Sequence, residues 1–494
     1  KVRGTLMANK IDLSKKNHDY AIFTPALSGF YSSYVSKQQA TGNHVEAERI
    51  PAKFENGIEG LNFLNSEAGY FTYDHVLYSA GHAELDMNKA PAKEGMIHGR
   101  DKNFTTLIGD SGGFQISKGV WQGNWLEPEG QCTETDKTRS KVLNWLENTA
   151  DYSMVLDIPT NGLNFVDEAT GKPKCGLNDY GEFRDATIAN NNYFFKHRQG
   201  KTKFLNVCQG STYTQADDWF DKVCLPVVGE TSGWAFGGIQ KTMVNHSLRR
   251  LLYLKELKIL ENSEWIHFLG TGRLDQGVMY TAMQRAIRKH VNPNLTISMD
   301  CASPFIATAN GQVYTHNTFD NKRIGYNMVH MVDEKDPQGK HAPWPWDDSP
   351  IGERLTWKDI NWYDPGDLNK IGKEGKTSWD SFAYCLMMGH NIYKHIDSVQ
   401  MANRLMARTA GINPWVPSQY IEFDQVCESL FEKDYGGSMA AIDAELLKHE
   451  KLIAKLSRTK SLKNSDTFDS LFSFGDATPV NTDIDSTQEE DDER

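Results

Sequence analysis

The stretch ISMDCASP, residues 297–304, decides how the rest of this 494-residue chain is interpreted. Apolar residues alternate through Leu295, Ile297 and Met299, which is typical of a buried strand, and a proline closes the run. The pattern places Asp300 at the end of that strand. A carboxylate held there can act as a nucleophile or as a base, so Asp300 is the first candidate catalytic residue.

A second stretch, TLIGDSGGFQ at residues 106–115, repeats this arrangement. A β-type run again ends in an aspartate, Asp110, and Gly112 and Gly113 follow it. Because glycines have no side chain, the backbone and a flat ligand can approach each other closely at this point. Two strand-end carboxylates in one chain indicate acid–base or covalent chemistry.

Around these stretches, predicted helices and strands alternate. The predicted strands cover residues 75–78, 105–108, 153–156, 204–208, 234–236, 265–269 and 295–300, and the predicted helices cover 137–150, 183–196, 214–222, 245–257 and 276–290. Such alternation implies a parallel sheet with right-handed crossovers. At least six such units favour an α/β TIM (β/α)8 barrel, whose chemistry lies at the C-terminal strand ends. The alternative is an open doubly wound sheet, but Gly270-Thr271-Gly272 lacks the third glycine of a dinucleotide-binding turn.

The rest of the chain does not continue this alternation of strands and helices. Residues 1–65 give mixed signals, with a strand candidate at 20–24, and receive no role. Helical spacing over 381–408 and 440–456 predicts a helical region packed on the barrel. The predicted organisation is a catalytic barrel at 1–320, an irregular insertion at 321–378, a helical C-terminal subdomain at 379–465 and a disordered acidic tail at 466–494.

Composition excludes several broad classes. Hydrophobic residues make up 39% and charged residues 24%, as in globular proteins that fold in water. No apolar run approaches the ~20 residues of a membrane span and no signal-peptide pattern opens the chain, so we expect a cytoplasmic protein that does not contact a membrane. The seven scattered cysteines form no CxxC pair, which fits reduced thiols better than a disulfide framework or a zinc site.

The net charge of −12 argues against a simple basic nucleic-acid binder. The tail at 476–494 carries eight acidic residues and one arginine, so more than half of this charge lies outside the body of the protein. Local basic patches remain that could meet phosphates, at Arg249-Arg250, Arg285, Arg288-Lys289 and residues 455–463.

The DSGGFQ motif at 110–115, together with MDCASP and NGQVYT within 299–315, resembles the signature segments of the tRNA-guanine transglycosylase superfamily. The similarity covers roughly residues 65–320, with a fainter match in the helical region near 380–410. It implies exchange of a guanine base in a nucleic acid for a 7-deazaguanine. It also implies a covalent sugar–enzyme intermediate, formed and resolved by two displacements as in retaining glycosidases.

The resemblance gives each matching residue a role. Asp300 corresponds to the nucleophile that attacks C1′ of the sugar, and Asp110 to the general acid/base that protonates the leaving guanine and then deprotonates the incoming base. Asp157 corresponds to the carboxylate that accepts the N1 and N2 hydrogens of guanine. The other matches are donors to O6 (Gln209 and the backbone of Gly238, which follows Gly237), stacking residues (Phe114 and Leu269) and neighbours of the acid/base (Ser111 and Gln115).

The sequence departs from the tRNA enzymes in two places that concern substrates. Phe305, Ile306 and Ala309 stand where those enzymes usually carry arginines that grip tRNA phosphates, so a different nucleic acid or a different grip is expected. The run after the glycine pair, Ile239-Gln240-Lys241, is also altered. This change puts the identity of the incoming base in doubt.

A third departure concerns the structural zinc of the tRNA enzymes. Cys385, His390 and His395 supply only one thiolate, so we expect neither zinc nor another cofactor. A superfamily enzyme without zinc and without those arginines resembles the phage-type DNA 7-deazaguanine transglycosylases. That branch implies DNA as the partner, a base such as preQ0 as the second substrate, host-cell cytoplasm as the location if the chain is phage-encoded, and a target guanosine flipped out of its stack.

Other interpretations stay open. One is a tRNA-guanine transglycosylase of the queuosine or archaeosine pathway, and another is a catalytically silent barrel that serves as the partner subunit of an active enzyme. A metal-dependent hydrolase on the same barrel is disfavoured because the sequence has no clustered ligand set. Each candidate residue also has a structural alternative as a turn, capping or core residue. The sequence leaves open whether the chain forms a homodimer.

Overall fold

The computed structural model describes residues 11–14, 19–41, 45, 47–131, 133–238, 243–333, 339–362, 378–408 and 414–457. Within these residues, eight parallel strands form one sheet in the order β1-β8-β7-β6-β5-β4-β3-β2. The strands are β1 Ile22–Pro25, β2 His75–Ser79, β3 Thr106–Asp110, β4 Tyr152–Met154, β5 Lys203–Cys208, β6 Gly233–Phe236, β7 Trp265–Phe268 and β8 Thr296–Cys301. From β2 to β8 each strand thus pairs with its sequence neighbours, and β1 pairs with β8.

The sheet closes on itself between its first two strands. Just beyond β1, Ala26 forms a parallel bridge with Leu77 of β2, and the backbone N–H of Leu27 donates to the carbonyl of Leu77 at 3.0 Å. The result is a TIM-like barrel, which confirms the predicted fold class. All C-terminal strand ends therefore meet at one mouth, where such barrels carry their chemistry.

The helices surround the barrel and extend past it. The longer ones are α1 Gly29–Thr41, α2 Thr133–Thr149, α3 Tyr180–His197, α4 Tyr213–Trp219, α5 Val244–Glu256, α6 Leu274–His290, α7 Ser303–Ala309, α8 Ser381–Met406, α9 Ser418–Glu432, α10 Met439–Lys448 and α11 Glu450–Leu456. Short helices lie at Ala90–Lys93, Gly95–His98, Gly113–Ser117 and Trp357–Ile360, and α4 runs on through a π-helical turn, Phe220–Cys224. Side chains of Asp179, Thr212 and Asp380 cap the helices that follow them by accepting a backbone N–H.

Helix α8 completes the ring. It contacts α6 on one side and α1 on the other, which is the place of an eighth barrel helix, and α7 also packs against it. Because neighbours cover it on several sides, polar residues such as Asn391 are fully buried and find partners there: its side-chain oxygen accepts from the backbone N–H of Tyr314 at 2.8 Å. The region predicted as a helical subdomain packed on the barrel therefore begins with a helix of the ring itself.

Strand β1 confirms the strand candidate at 20–24, in a stretch that received no functional role. Its four residues are all buried, so no alternation of apolar and polar residues marks it. The hydroxyl of Thr24 donates to the carbonyl of Met299 at 3.1 Å, which joins β1 to β8 through a side chain as well as through the sheet. A second small pair, Ile11–Asp12 with Phe71–Thr72, lies outside the barrel.

Two antiparallel strands, β9 Gln312–Phe319 and β10 Ile324–His330, follow α7. The segment 321–378, predicted to be irregular, thus starts with a strand, and residues 334–338 and 363–377 lie outside the described part. The helix predicted at 440–456 is divided at His449 into α10 and α11, and α9 was not predicted. The acidic tail also lies outside the described residues, so the domain boundaries stay predictions. In the described part of the chain, no helix combines the length and apolar character needed to cross a bilayer.

Candidate active site

Asp110 ends β3 at the barrel mouth, next to Ser79 at the end of β2. The two residues are partners in the sheet register, and the Ser79 hydroxyl donates to Oδ2 of Asp110 at 2.5 Å. The backbone N–H of Gly81 donates to the Ser79 hydroxyl at 3.1 Å and fixes its orientation. Burial raises the pKa of Asp110 above its ordinary value, the Ser79 hydrogen bond opposes this shift, and the negative charge of Asp300 adds to it. A raised pKa suits a carboxyl group that must both give and take a proton.

Asp300 lies near the end of β8 and is only 4% exposed. Two groups contact Oδ1 of Asp300. The backbone N–H of Gly270 donates to it at 2.7 Å, and Nε2 of His267 lies 3.0 Å from it. Gly270 has a φ of 61°, a left-handed conformation that favours glycine and turns the chain after β7. The carboxylate is thus held in one orientation from the neighbouring strand end.

A chain of polar side chains continues behind His267. Its Nδ1 lies 2.7 Å from the Ser298 hydroxyl, which accepts the indole N–H of Trp265 at 2.6 Å. An ionised Asp300 can only accept, so Nε2 of His267 must carry a proton. In a neutral ring Nδ1 then accepts from Ser298, and the relay Trp265–Ser298–His267–Asp300 is satisfied in one direction. His267 and Ser298 are fully buried.

Asp157 follows β4, and Gln209 follows β5. The Gln209 side-chain amide donates to Oδ2 of Asp157 at 2.8 Å, and both residues are almost completely buried. Burial raises the pKa of Asp157 to about 7, although the Gln209 hydrogen bond opposes the shift and the charge of Asp110 contributes to it. Since Asp300 acts on Asp110 and Asp110 acts on Asp157, the three carboxyl groups lie in one electrostatic neighbourhood.

The glycine pair after β6 packs against Gln209. A Cβ atom added at Gly237 would lie 2.6 Å from Nε2 of Gln209, and one added at Gly238 would lie 3.0 Å from its Oε1. Gly238 also has a φ of 54°. A side chain at Gly237 would therefore displace the amide that contacts Asp157. The altered run Ile239-Gln240-Lys241 lies outside the described residues.

The remaining predicted site residues differ in burial and in what they contact. Phe114 and Leu269 are half-buried at the mouth, and Phe114 meets Phe165 edge to face with ring centroids 5.4 Å apart. Gln115 packs against Gly81, beside the Ser79–Asp110 pair. Ser111 differs, because it is fully buried and its hydroxyl donates to the carbonyl of Val155 at 2.9 Å. That hydroxyl holds β3 to the chain after β4 and is directed at the backbone rather than at a ligand.

The two histidines weighed as zinc ligands in the sequence have other partners in the structure. His390 uses both ring nitrogens, with Ser349 Oγ at 2.7 Å and the carbonyl of Tyr314 at 2.8 Å. Nε2 of His395 lies 3.8 Å from the sulfur of Cys301. Among the described residues, no three or more His, Cys, Asp or Glu side chains are grouped so that they could hold a metal ion.

The hydrogen-bond partners of the two catalytic candidates were not foreseen from the sequence. Ser79, His267 and Ser298 were placed on or beside strands but given no role. A signal exists, since Ser298 precedes Asp300 by two positions and therefore faces the same side of β8. Comparison with models of known protein families and with curated protein sequences finds no match for this chain.

Proposed function

We propose that this protein replaces guanine in DNA with a 7-deazaguanine such as preQ0, through a covalent aspartyl–deoxyribose intermediate. The observation that carries the proposal is the placement of Asp110 and Asp300 at the mouth of one barrel, within electrostatic reach of each other and of the Asp157–Gln209 pair. One carboxyl group has a raised pKa, another is fixed by two hydrogen bonds, and a third faces an amide. These are the parts that a double displacement at a purine nucleoside requires.

In the first displacement, Asp300 attacks C1′ of the target nucleotide. Its Oδ1 is held by Gly270 and His267, so Oδ2 is the oxygen that we assign to the attack. The C1′–N9 bond breaks as the C1′–O bond forms, and protonated Asp110 delivers its proton to the leaving guanine. Guanine departs neutral, and the sugar remains as an ester of Asp300.

In the second displacement, the incoming 7-deazaguanine occupies the vacated slot. Asp110, now ionised, takes the N9 proton as that nitrogen attacks C1′, and the ester bond to Asp300 breaks. Asp300 and Asp110 return to their starting protonation states. Two inversions at C1′ give net retention of configuration.

The Asp157–Gln209 pair accounts for purine selection. An ionised Asp157 accepts the N1 and N2 hydrogens of a guanine edge, whereas an adenine edge would leave it unpaired in a buried site, at a cost of ~1–3 kcal/mol. The Gln209 amide has two hydrogens. One goes to Asp157 in this structure, and in the complex with the base we assign the other to O6.

The environment of Phe305 favours DNA over tRNA within this proposal. Phe305 stands where the tRNA enzymes usually carry an arginine, is only 3% exposed, and packs its ring edge against Tyr31 with centroids 5.6 Å apart. A residue buried in this way cannot reach a phosphate. A tRNA substrate would therefore lack that contact.

Labelled guanine supplied with DNA and, in parallel, with tRNA tests the proposal directly. We expect label to enter DNA, and nucleoside mass spectrometry to detect the deazapurine nucleoside when preQ0 replaces the label. Asp300→Asn should abolish both signals, whereas Asp221→Asn, a change at an exposed helical position, should not. Label that enters only tRNA would overturn the DNA assignment, and no label in either nucleic acid would overturn the exchange reaction.

A further inference from the structure

The basic patches predicted from the sequence on the barrel helices are largely occupied by ion pairs. Arg249 binds Asp217 at 2.7 Å and Asp443 at 2.6 Å, and Arg250 binds the same Asp217 oxygen at 2.7 Å. Lys289 pairs with Glu428. These cations hold the helices to one another, so they are poor candidates for phosphate contacts.

A different basic site lies beside the candidate active site. A cavity of about 600 Å³ opens between the segment that follows the Gly113–Ser117 helix and the loop between β4 and α3. Three lysines line it together with polar side chains and backbone. The charged and amide-bearing lining residues are Lys118, Gln122, Asp167, Lys172, Lys174 and Asn178. We call this cavity the lysine pocket.

One lining residue of the lysine pocket, Lys118, lies against Phe114, a predicted residue of the purine slot. The Lys118 ammonium lies 4.7 Å from the centre of the Phe114 ring and 5.4 Å from that of Phe165. A Cβ atom added at Gly113 would lie 1.7 Å from the carbonyl oxygen of Asp157, so the segment leading into the pocket packs directly on the loop that carries the base-binding carboxylate. A nucleotide bound at the active site would therefore have its neighbours along the strand near these lysines.

The charge of the pocket is positive. Its lining holds three ammonium groups and one carboxylate, Asp167. Oδ1 of Asp167 accepts from the backbone N–H groups of Ala169 and Thr170 and from the Thr170 hydroxyl, within its own turn. Lys172 and Lys174 are exposed to solvent at the rim, where a flexible ammonium can follow an anion.

Aromatic residues accompany the lysines. Beyond Phe114 and Phe165, Trp121 is partly exposed, and a Cβ atom added at Gly112 would lie 2.7 Å from its ring. The indole thus stands next to the motif that carries Asp110. Lysines that track a backbone and aromatic rings on which bases can stack are the combination with which proteins bind single-stranded nucleic acid.

We propose that the lysine pocket binds the phosphodiester groups of the DNA strand that flank the exchanged guanosine, with Lys172 and Lys174 as the main contacts. This inference rests on the proposed function for the identity of the strand. It assigns to the βα loops of β3 and β4 the phosphate grip that the buried Phe305 cannot provide. DNA affinity should depend on salt, and part of that dependence should come from these two side chains.

The test compares Lys172→Gln/Lys174→Gln with a matched control, Lys102→Gln/Lys201→Gln. The control removes two exposed lysines from the loops that precede β3 and β5, at the opposite end of the barrel. A fluorescent single-stranded oligodeoxynucleotide with one guanine serves as the probe, and its Kd is measured between 50 mM and 300 mM salt. We expect the pocket variant to raise Kd about tenfold near 100 mM salt and to flatten the slope of log Kd against log salt by ~1.4, with little change in the control.

Three outcomes separate this inference from the proposed function. Unchanged DNA affinity in the pocket variant, while the wild-type protein exchanges guanine, would overturn the lysine pocket and leave the exchange reaction standing. A tenfold loss of affinity in a protein that performs no exchange would support the pocket and overturn the reaction. Inorganic phosphate that competes with the oligodeoxynucleotide at millimolar concentration or below would also overturn the inference, because the pocket would then be a small-anion site.

Discussion

Replacing Asp157 by asparagine is expected to stabilise the protein at alkaline pH while weakening the guanine binding that we propose. The carboxyl group has an ordinary pKa of 3.8 and a pKa of about 7 in the folded protein, because it is buried. Between these two values the folded protein holds a proton that the unfolded chain has released. Stability is therefore fully present below pH 4 and is lost as the pH rises through 7.

The size of the effect follows from the two pKa values. A difference of this size corresponds to ~4 kcal/mol when it is fully expressed, and ~2–3 kcal/mol of it is lost between pH 5 and pH 8. Asparagine has almost the same volume, does not titrate, and keeps an oxygen that can accept from Gln209. The gain in free energy of unfolding of Asp157→Asn over wild type should thus grow by ~2–3 kcal/mol from pH 5 to pH 8.

Urea unfolding of both proteins at pH 5, 6, 7 and 8 measures this difference. The exposed Asp221→Asn variant serves as the control for exchanging an aspartate for an asparagine. The asparagine variant should also lose about 100-fold in kcat/KM for guanine exchange, since an amide N–H would face the N1 and N2 hydrogens of the base. A difference between Asp157→Asn and wild type that is the same at pH 5 and pH 8 would refute the burial of this carboxylate.

Three further changes probe the neighbouring residues. Ser79→Ala removes the hydroxyl that lowers the pKa of Asp110, so the alkaline limb of the kcat–pH profile should move to higher pH; a shift to lower pH would contradict the assignment. His267→Leu deletes a donor to Asp300, so it should lower kcat about 10- to 100-fold while the KM for the base stays unchanged. His267→Gln keeps a donor and should recover part of the lost kcat. An equal loss of kcat in both variants would indicate that His267 serves only in packing. Gly237→Ala would place a methyl group 2.6 Å from the Gln209 amide that contacts Asp157. It should therefore raise the KM for the base about tenfold with little change in the urea midpoint. An unchanged KM would argue against base binding at Asp157 and Gln209.

The barrel could be predicted because most of its strands are short buried runs that end in glycine or polar residues. Strands β2 to β8 were predicted close to their observed bounds. Strand β1 overlaps the strand predicted at 20–24, but its place in the sheet could not be predicted, since a four-residue strand buried at every position has no alternating pattern and its partners lie far away in sequence on β8 and β2. The role of α8 as a ring helix depends on long-range packing in the same way.

The carboxylates of the candidate site could be predicted from the sequence. The residues that hydrogen-bond to them could not. Asp110 and Asp300 stand out because a charged residue ends an apolar run. His267 does not, since a buried histidine on a strand looks the same whether it packs or orients a nucleophile, and only the cross-strand register with Ser298 distinguishes the two. The lysine pocket was missed for a related reason: Lys118 and Lys172 come from two loops that meet only in the folded barrel.

We expect Asp300 to form a covalent bond to the sugar of its substrate. Mixing the protein with a guanine-containing oligodeoxynucleotide in the absence of an incoming base, followed by acid quench and intact-protein mass spectrometry, measures that bond directly. We predict an adduct that maps to Asp300, disappears in Asp300→Ala, and is discharged by added base. An adduct that persists in Asp300→Ala, or turnover by the wild-type protein with no adduct at any time, would show that Asp300 is not the nucleophile.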